Sequence, residues 1–160
     1  MPTPRPAPQQ DADRHNTVDL FKSLLAAERA QRSRLQGELD LRNSALDASP
    51  DHYIIIDVTR PHWVISYVNQ ALARDYGHKG SQIIGRTPSW LMPKEANPET
   101  YTRLEDAIRS SVCLTAEMVG RHKDGTTLRV NFRFSPIPDS GGNVAHYLGI
   151  GSVVGGGAAA

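Results

Sequence analysis

Hydrophobic positions recur every three to four residues in the first third of the chain and every second residue in the last third, and the period changes at Pro50. Between Thr17 and Ala48 there is no proline and one glycine, and strong helix formers dominate. The segment predicts a long helix with Asn16 as N-cap and Asp19 in the first turn, where a carboxylate favours the helix dipole. Steps of three and four pick out Val18, Phe21, Leu25, Glu28, Arg32, Leu35, Leu39, Arg42 and Leu46, a seam over about four heptads. Two readings follow. The helix either lies on its own domain, or it pairs in a coiled coil through Phe21, Leu25, Leu35, Leu39 and Leu46, with Glu28, Arg32 and Arg42 weakening or registering the seam. Gly37 costs about 1 kcal/mol against alanine in such a rod.

Pro50 ends the helix. Tyr53–Asp57 (YIIID) predicts a buried strand and Trp63–Val68 its hairpin partner across a turn containing Pro61. Asn69 is placed to cap a short helix that Gly77 stops, a further helical turn ends at Gly85, and RTPSWLMP reads as a loop. Pro98–Ser110 is amphipathic, with Tyr101, Leu104 and Ile108 on one face. Asp124-Gly125 is a strong hairpin signal between two strand-like runs. In the second run Leu128, Val130, Phe132 and Phe134 alternate with Arg129, Asn131 and Arg133, one face buried and one wet. A last strand follows the Pro138–Gly142 turn, and the order of elements predicts an α+β domain with an antiparallel sheet.

Composition narrows the picture. At 160 residues the chain accommodates one domain plus surplus. The partition expected is a Pro-rich tail over 1–16 too polar to fold, a helix over 17–48, a domain over 49–154 and a flexible Gly/Ala tail over 155–160. The net charge is +1, with seven residues of each sign in positions 1–50. That is not the basic field of a nucleic-acid binder. A single cysteine, Cys113, excludes an internal disulfide and a multi-cysteine metal site, and it reads as a small buried hydrophobe. No apolar run approaches the roughly 20 residues of a membrane span, so a cytoplasmic, non-membrane protein is expected. The histidines fall at predicted turns and strand ends without i,i+4 pairing, where surface or hydrogen-bonding roles are expected rather than metal ligation. Glu105-Asp106 reads as surface charge rather than an acid/base pair.

From about Leu41 to Val154 the order of pieces YVNQAL, YGHKGSQIIGR, NPETYTRLEDAI, HKDGT and FSPIPDSGGNVAHYLGI resembles a PAS domain, and most of all its light-oxygen-voltage branch. The resemblance implies a five-stranded antiparallel sheet in the order 2-1-5-4-3, with short helices on one face and a long helix before them. It also implies a sensory and dimerisation module that signals through flanking helices.

The flavin-binding members resemble one another in a GRNCRFLQ segment, whose cysteine bonds the ring. Here that stretch is Gly85-Arg86-Thr87-Pro88-Ser89-Trp90-Leu91-Met92, with Pro88 where the thiol belongs. By the same resemblance Gly120 and Val130 stand for the strand asparagines that hold the ring edge, and Gly151 for the signal-relaying glutamine. Unpaired buried polar atoms cost about 1–3 kcal/mol each, so these replacements argue against flavin. Haem is disfavoured too, because the helix that carries the iron ligand in oxygen-sensing members has no histidine between Lys94 and Ser111, and Thr100 falls near the place. No cofactor is therefore expected. Trp90, Met92, Met118, Leu128 and Val130 are the candidates for lining the interior, as packed core or as an apolar ligand pocket. The function expected is a non-catalytic sensory module that homodimerises and binds a separate output protein or a small apolar ligand. Its rival is a photoreceptor holding flavin without the cysteine.

Overall fold

The computed structural model describes residues 8–157, and the chain divides into two compact units, one ending at Ser44 and one beginning at Ala45. The first unit is helical. Helix α1 spans Pro8–Asp47, so it starts well before the expected cap at Asn16. Pro8 occupies its first position, where a missing N–H and a fixed φ cost nothing. The first seven residues of the expected tail lie outside the described residues.

In the second unit β1 (His52–Asp57) and β2 (Val64–Val68) form a hairpin, and helices α2 (Gln70–Asp75), α3 (Gly80–Ile83), α4 (Pro88–Leu91) and α5 (Pro98–Ser110) follow. Strands β3 (Leu114–Arg121), β4 (Thr127–Pro138) and β5 (Val144–Gly157) close the fold. The sheet order is β2-β1-β5-β4-β3, antiparallel at every pairing. Two boundaries differ from expectation. The RTPSWLMP stretch contains the single turn α4 because Pro88 is a good first helical residue. Gly155–Gly157 continue β5, pairing with Thr127, Leu128 and Arg129, because a strand needs backbone partners before it needs side chains.

Alternation fixes which face is covered. Ile54 and Ile56 of β1, Met118 of β3, Val130, Phe132 and Phe134 of β4 and Tyr147 of β5 are fully buried on the inner face. Leu72, Ile83, Leu91, Tyr101 and Leu104 descend on them from the helices. Each such side chain contributes about 1.5–3 kcal/mol by leaving water. The opposite face carries a half-buried apolar stripe: Ile55 sits between Tyr67 and Leu148, and Tyr53 lies beside Ile150.

Asn69 joins the pieces. Its Oδ1 accepts from the amides of Tyr53 (3.0 Å) and Leu72 (3.2 Å), and its Nδ2 donates to the carbonyls of Leu46 (3.0 Å) and Asp51 (2.9 Å). At 0% exposure none of these groups can turn to water instead. Asn97 does the same at the other edge, bridging Pro93 and both backbone groups of Val119. Replacing Asn69 with alanine should therefore lower unfolding free energy by about 3 kcal/mol or more, at about 1 kcal/mol per hydrogen bond plus stranded donors. Urea denaturation followed by circular dichroism checks this, and a loss below about 1 kcal/mol would contradict the assigned role.

Candidate functional site

The place to look for ligand chemistry is the space between the inner sheet face and helices α4 and α5. Met92, Met118 and Val130 meet there, each at most 1% exposed, and Leu128 packs on the cluster half-buried. Trp90 does not belong to it. With α4 only one turn long, Pro88 and Leu91 face inward and Trp90 is turned out, 39% exposed. Tyr101 and Tyr147 cross the interior and tie down its rim: Tyr101 Oη donates to the carbonyl of Met92 (2.8 Å) and Tyr147 Oη to that of Ala107 (2.9 Å).

Glycine positions report how the interior is filled. A Cβ on Gly120 would stand 2.4 Å from Oη of Tyr76, and one on Gly151 would stand 2.5 Å from the Phe132 ring and 2.7 Å from Val130. The rings of Phe132 and Phe134 stack at 5.3 Å. The positions that the resemblance assigns to polar cofactor contacts are thus two glycines roofed by aromatic rings and one buried valine. At the segment aligned with the reactive thiol, Pro88 is buried, and the hydroxyls of Thr87 and Ser89 bond each other at 3.0 Å on the surface. Cys113 is exposed rather than buried, its Sγ 3.7 Å from Oγ of Ser135. It lies in the link between α5, capped by Ser111 in the left-handed region (φ 58°), and β3, outside the inward alternation of the strand.

One polar cluster escaped the sequence reading. His52, wholly buried, bonds through Nε2 to Asp75 (2.9 Å), and its ring lies 5.8 Å from that of Tyr76 and 6.5 Å from that of Phe132. Burial raises the Asp75 carboxyl, but hydrogen bonds from His52 and Arg74 outweigh it and hold the group below the ordinary carboxylate range. Nδ1 of His52 and Oη of Tyr76 are both buried without a partner, and burial pushes the Tyr76 phenol far above its usual value. Residues 23 apart in sequence share no local period, so only the alternation of β1 hinted that His52 faces inward.

Two clefts open on the surface around α4. One, of about 350 Å³, runs between Trp63, Pro88, Lys94, Tyr101 and Arg109. In it Glu105 pairs with Lys94 (3.2 Å) and Arg109 (4.0 Å), and Asp106 pairs with Arg109 (3.5 Å), which places both carboxylates among surface ion pairs. The other, of about 380 Å³, lies between Trp90 and the start of the β3–β4 turn. Among the described residues no three His, Cys, Asp or Glu side chains converge as metal ligands, and no helix is long and apolar enough to cross a membrane.

Comparison with known proteins agrees with this architecture. Adagio protein 3 of Arabidopsis thaliana is 23% identical over 111 residues, 64% of this chain and 18% of that protein. Phototropin-2 of Oryza sativa subsp. japonica is 22% identical over 66% of this chain and 12% of its own length. The chain therefore spans less than a fifth of either relative. A solved light-oxygen-voltage domain, studied with a flavin analogue, superposes with a TM-score of 0.63 at 25% identity, over 70% of this chain and 83% of that one. The PAS domain family matches residues 50–152. That match covers β1 to β4, the larger part of β5 and all four helices packed on the sheet, and the chain belongs to the PAS domain family, with light-oxygen-voltage domains among its relatives and structural neighbours.

Proposed function

We propose that this PAS sensory module works as a flavin-free homodimer, joined through helix α1, that relays a signal to a separate partner protein. The observation that carries the reading is the apolar seam of α1. Phe21 is 62% exposed, and Leu25, Leu35 and Leu39 are each half exposed, on a helix of 40 residues. Among the described residues 13 large hydrophobic side chains stand exposed, and eight of them lie on this one helix, too many for an unpartnered surface. A helix of that length spans about 60 Å, and seam residues at heptad spacing bury themselves most readily against a second identical seam. Leu46, half-buried at the helix end, brings the seam to the domain. The outer-face stripe of Tyr53, Ile55, Tyr67, Leu148 and Ile150 offers a second apolar surface, in keeping with contact through the sheet.

The interior supports the flavin-free part. A buried isoalloxazine needs donors and acceptors along its polar edge, and Gly120, Val130 and Gly151 supply none while Tyr76 and Phe132 fill the space above the glycines. Sensing without chemistry needs only two arrangements of similar energy that an input biases differently.

Changing Leu35 and Leu39 together to glutamate should convert a dimer into a monomer at micromolar concentration, with the PAS fold retained. Sedimentation velocity reads the mass and circular dichroism the fold. An unaltered mass overturns dimerisation through α1. Protein purified after expression with excess riboflavin should lack the blue flavin absorption bands, and stoichiometric bound flavin would overturn the reading of the interior. Tyr76→Phe, which removes a buried hydroxyl that has no partner, should leave stability unchanged or raise it by about 1 kcal/mol in thermal denaturation. A clear loss would mean that the hydroxyl is held by a bound molecule.

A further inference from the structure

The cleft beside Trp90 is a built surface unlike the rest of the domain. Trp90 is the outward residue of α4, and its indole is steadied by the His78 ring at 4.6 Å and by the Arg86 guanidinium 5.4 Å from the ring centre. The opening it borders, about 380 Å³, falls within the size range of small-molecule sites. Arg121 and Lys123, at the start of the β3–β4 turn, and Glu95 also line it.

Charge and pairing set this cleft apart from its neighbour. In the cleft on the other side of α4 the basic groups Lys94 and Arg109 are already satisfied by carboxylates. Beside Trp90, Arg86, Arg121 and Lys123 carry no carboxylate partner among the described residues. Burial first, then the charges of Lys123 and His122, hold the His78 ring below its ordinary pKa, which favours its neutral form against Trp90. His122 is fixed in turn, because its ring covers Gly77, where a Cβ would lie 2.3 Å from Nε2, and its Nδ1 pairs with Asp124 at 2.8 Å. A flat aromatic platform with unpaired guanidinium and ammonium groups beside it is the chemistry that recognises a planar ring carrying an anionic group.

We propose that this cleft binds a nucleoside phosphate, with the base on Trp90 and the phosphate between Arg121 and Lys123. Glu95 is placed to accept from a ribose hydroxyl or an exocyclic amine. The site is separate from the interior and from helix α1, so it stands whether or not the chain dimerises.

The indole N–H resonance of Trp90 reports occupancy directly, since Trp63→Phe leaves Trp90 as the remaining tryptophan of the two in the chain. Adenosine 5′-monophosphate titrated into the full chain should shift that resonance and the backbone amides of 121–123 saturably. Inorganic phosphate and adenosine should each bind at least about tenfold more weakly. Trp90→Leu should weaken binding about tenfold or more, the equivalent of losing one stacked base. Arg121→Glu with Lys123→Glu should reduce the affinity to that of adenosine. Both changes are at exposed positions, and the dispersion of the amide spectrum confirms folding in each case. No saturable shift, or phosphate alone binding as well as the nucleotide, overturns the proposal. So does an oligoribonucleotide binding far more tightly than the mononucleotide, which would make the surface a polymer site.

Discussion

The whole arrangement depends on one buried amide. Asn69 stands where four chain segments meet: the end of α1, the entry to β1, the exit of β2 and the start of α2. Its side chain uses both acceptor sites of the oxygen and both hydrogens of the nitrogen, and its own backbone N–H donates to the carbonyl of Tyr53 (3.1 Å). No hydroxyl or carboxylate of similar size offers two donors and two acceptors in a plane, so no other residue that fits could make all four bonds. Once that junction is closed, β1 must run antiparallel to β2 and α2 must start over the inner face. The rest of the helical layer then has one side on which to fold.

The interior follows a second rule, pairing of absent side chains with large ones. Gly149 and Gly151 leave room on β5 into which Phe134 and Phe132 press from β4, and Gly120 leaves room on β3 for Tyr76. A sheet built in this way is dense without being flat-faced, and substitution at any of the three glycines requires a ring to move. Tyr101 and Tyr147 add to this packing and are anchored at their hydroxyl ends by backbone carbonyls. Tyr76 is the exception, anchored by packing and not by its hydroxyl.

Period and turn chemistry made most of the fold legible in the sequence. The strand alternation of β4, the cap at Asn69, the left-handed glycines at 77, 85 and 125 and the bounds of α5 all lie where local patterns place them. What local patterns missed has a common cause, which is that the deciding partner lies far along the chain. Trp90 looks like core by composition, yet a one-turn helix has only one inward side. Cys113 looks buried by residue type, yet it sits in a link. Gly155–Gly157 look like a tail because nothing in their side chains shows that Thr127–Arg129 need a neighbour. The His52–Asp75 pair is invisible for the same reason, and so is the basic cleft, whose residues come from α3–α4 and the β3–β4 turn.

The junction also bears on how a signal could leave such a domain. The last turn of α1, Ala45–Asp47, belongs to the folded unit, and it is held by two bonds: the Leu46 carbonyl to Asn69 (3.0 Å) and the Asp47 carboxylate to the amide of Gln70 (2.8 Å). Both bonds end on the first residues of the β2–α2 connection, and Asn69 reaches β1 through the same side chain. A shift of β1 against α2 would be felt at Asn69, whose Oδ1 bonds to both. Two of its side-chain bonds reach β1 and α2, through Tyr53 and Leu72, and one reaches the last turn of α1, through Leu46. With its second bond, from the Gln70 amide to Asp47, the last turn of α1 is tied to the start of α2 as well as to Asn69. In the proposed dimer Leu46 is the seam residue beside this junction, so a displacement at Asn69 would reach the seam there first.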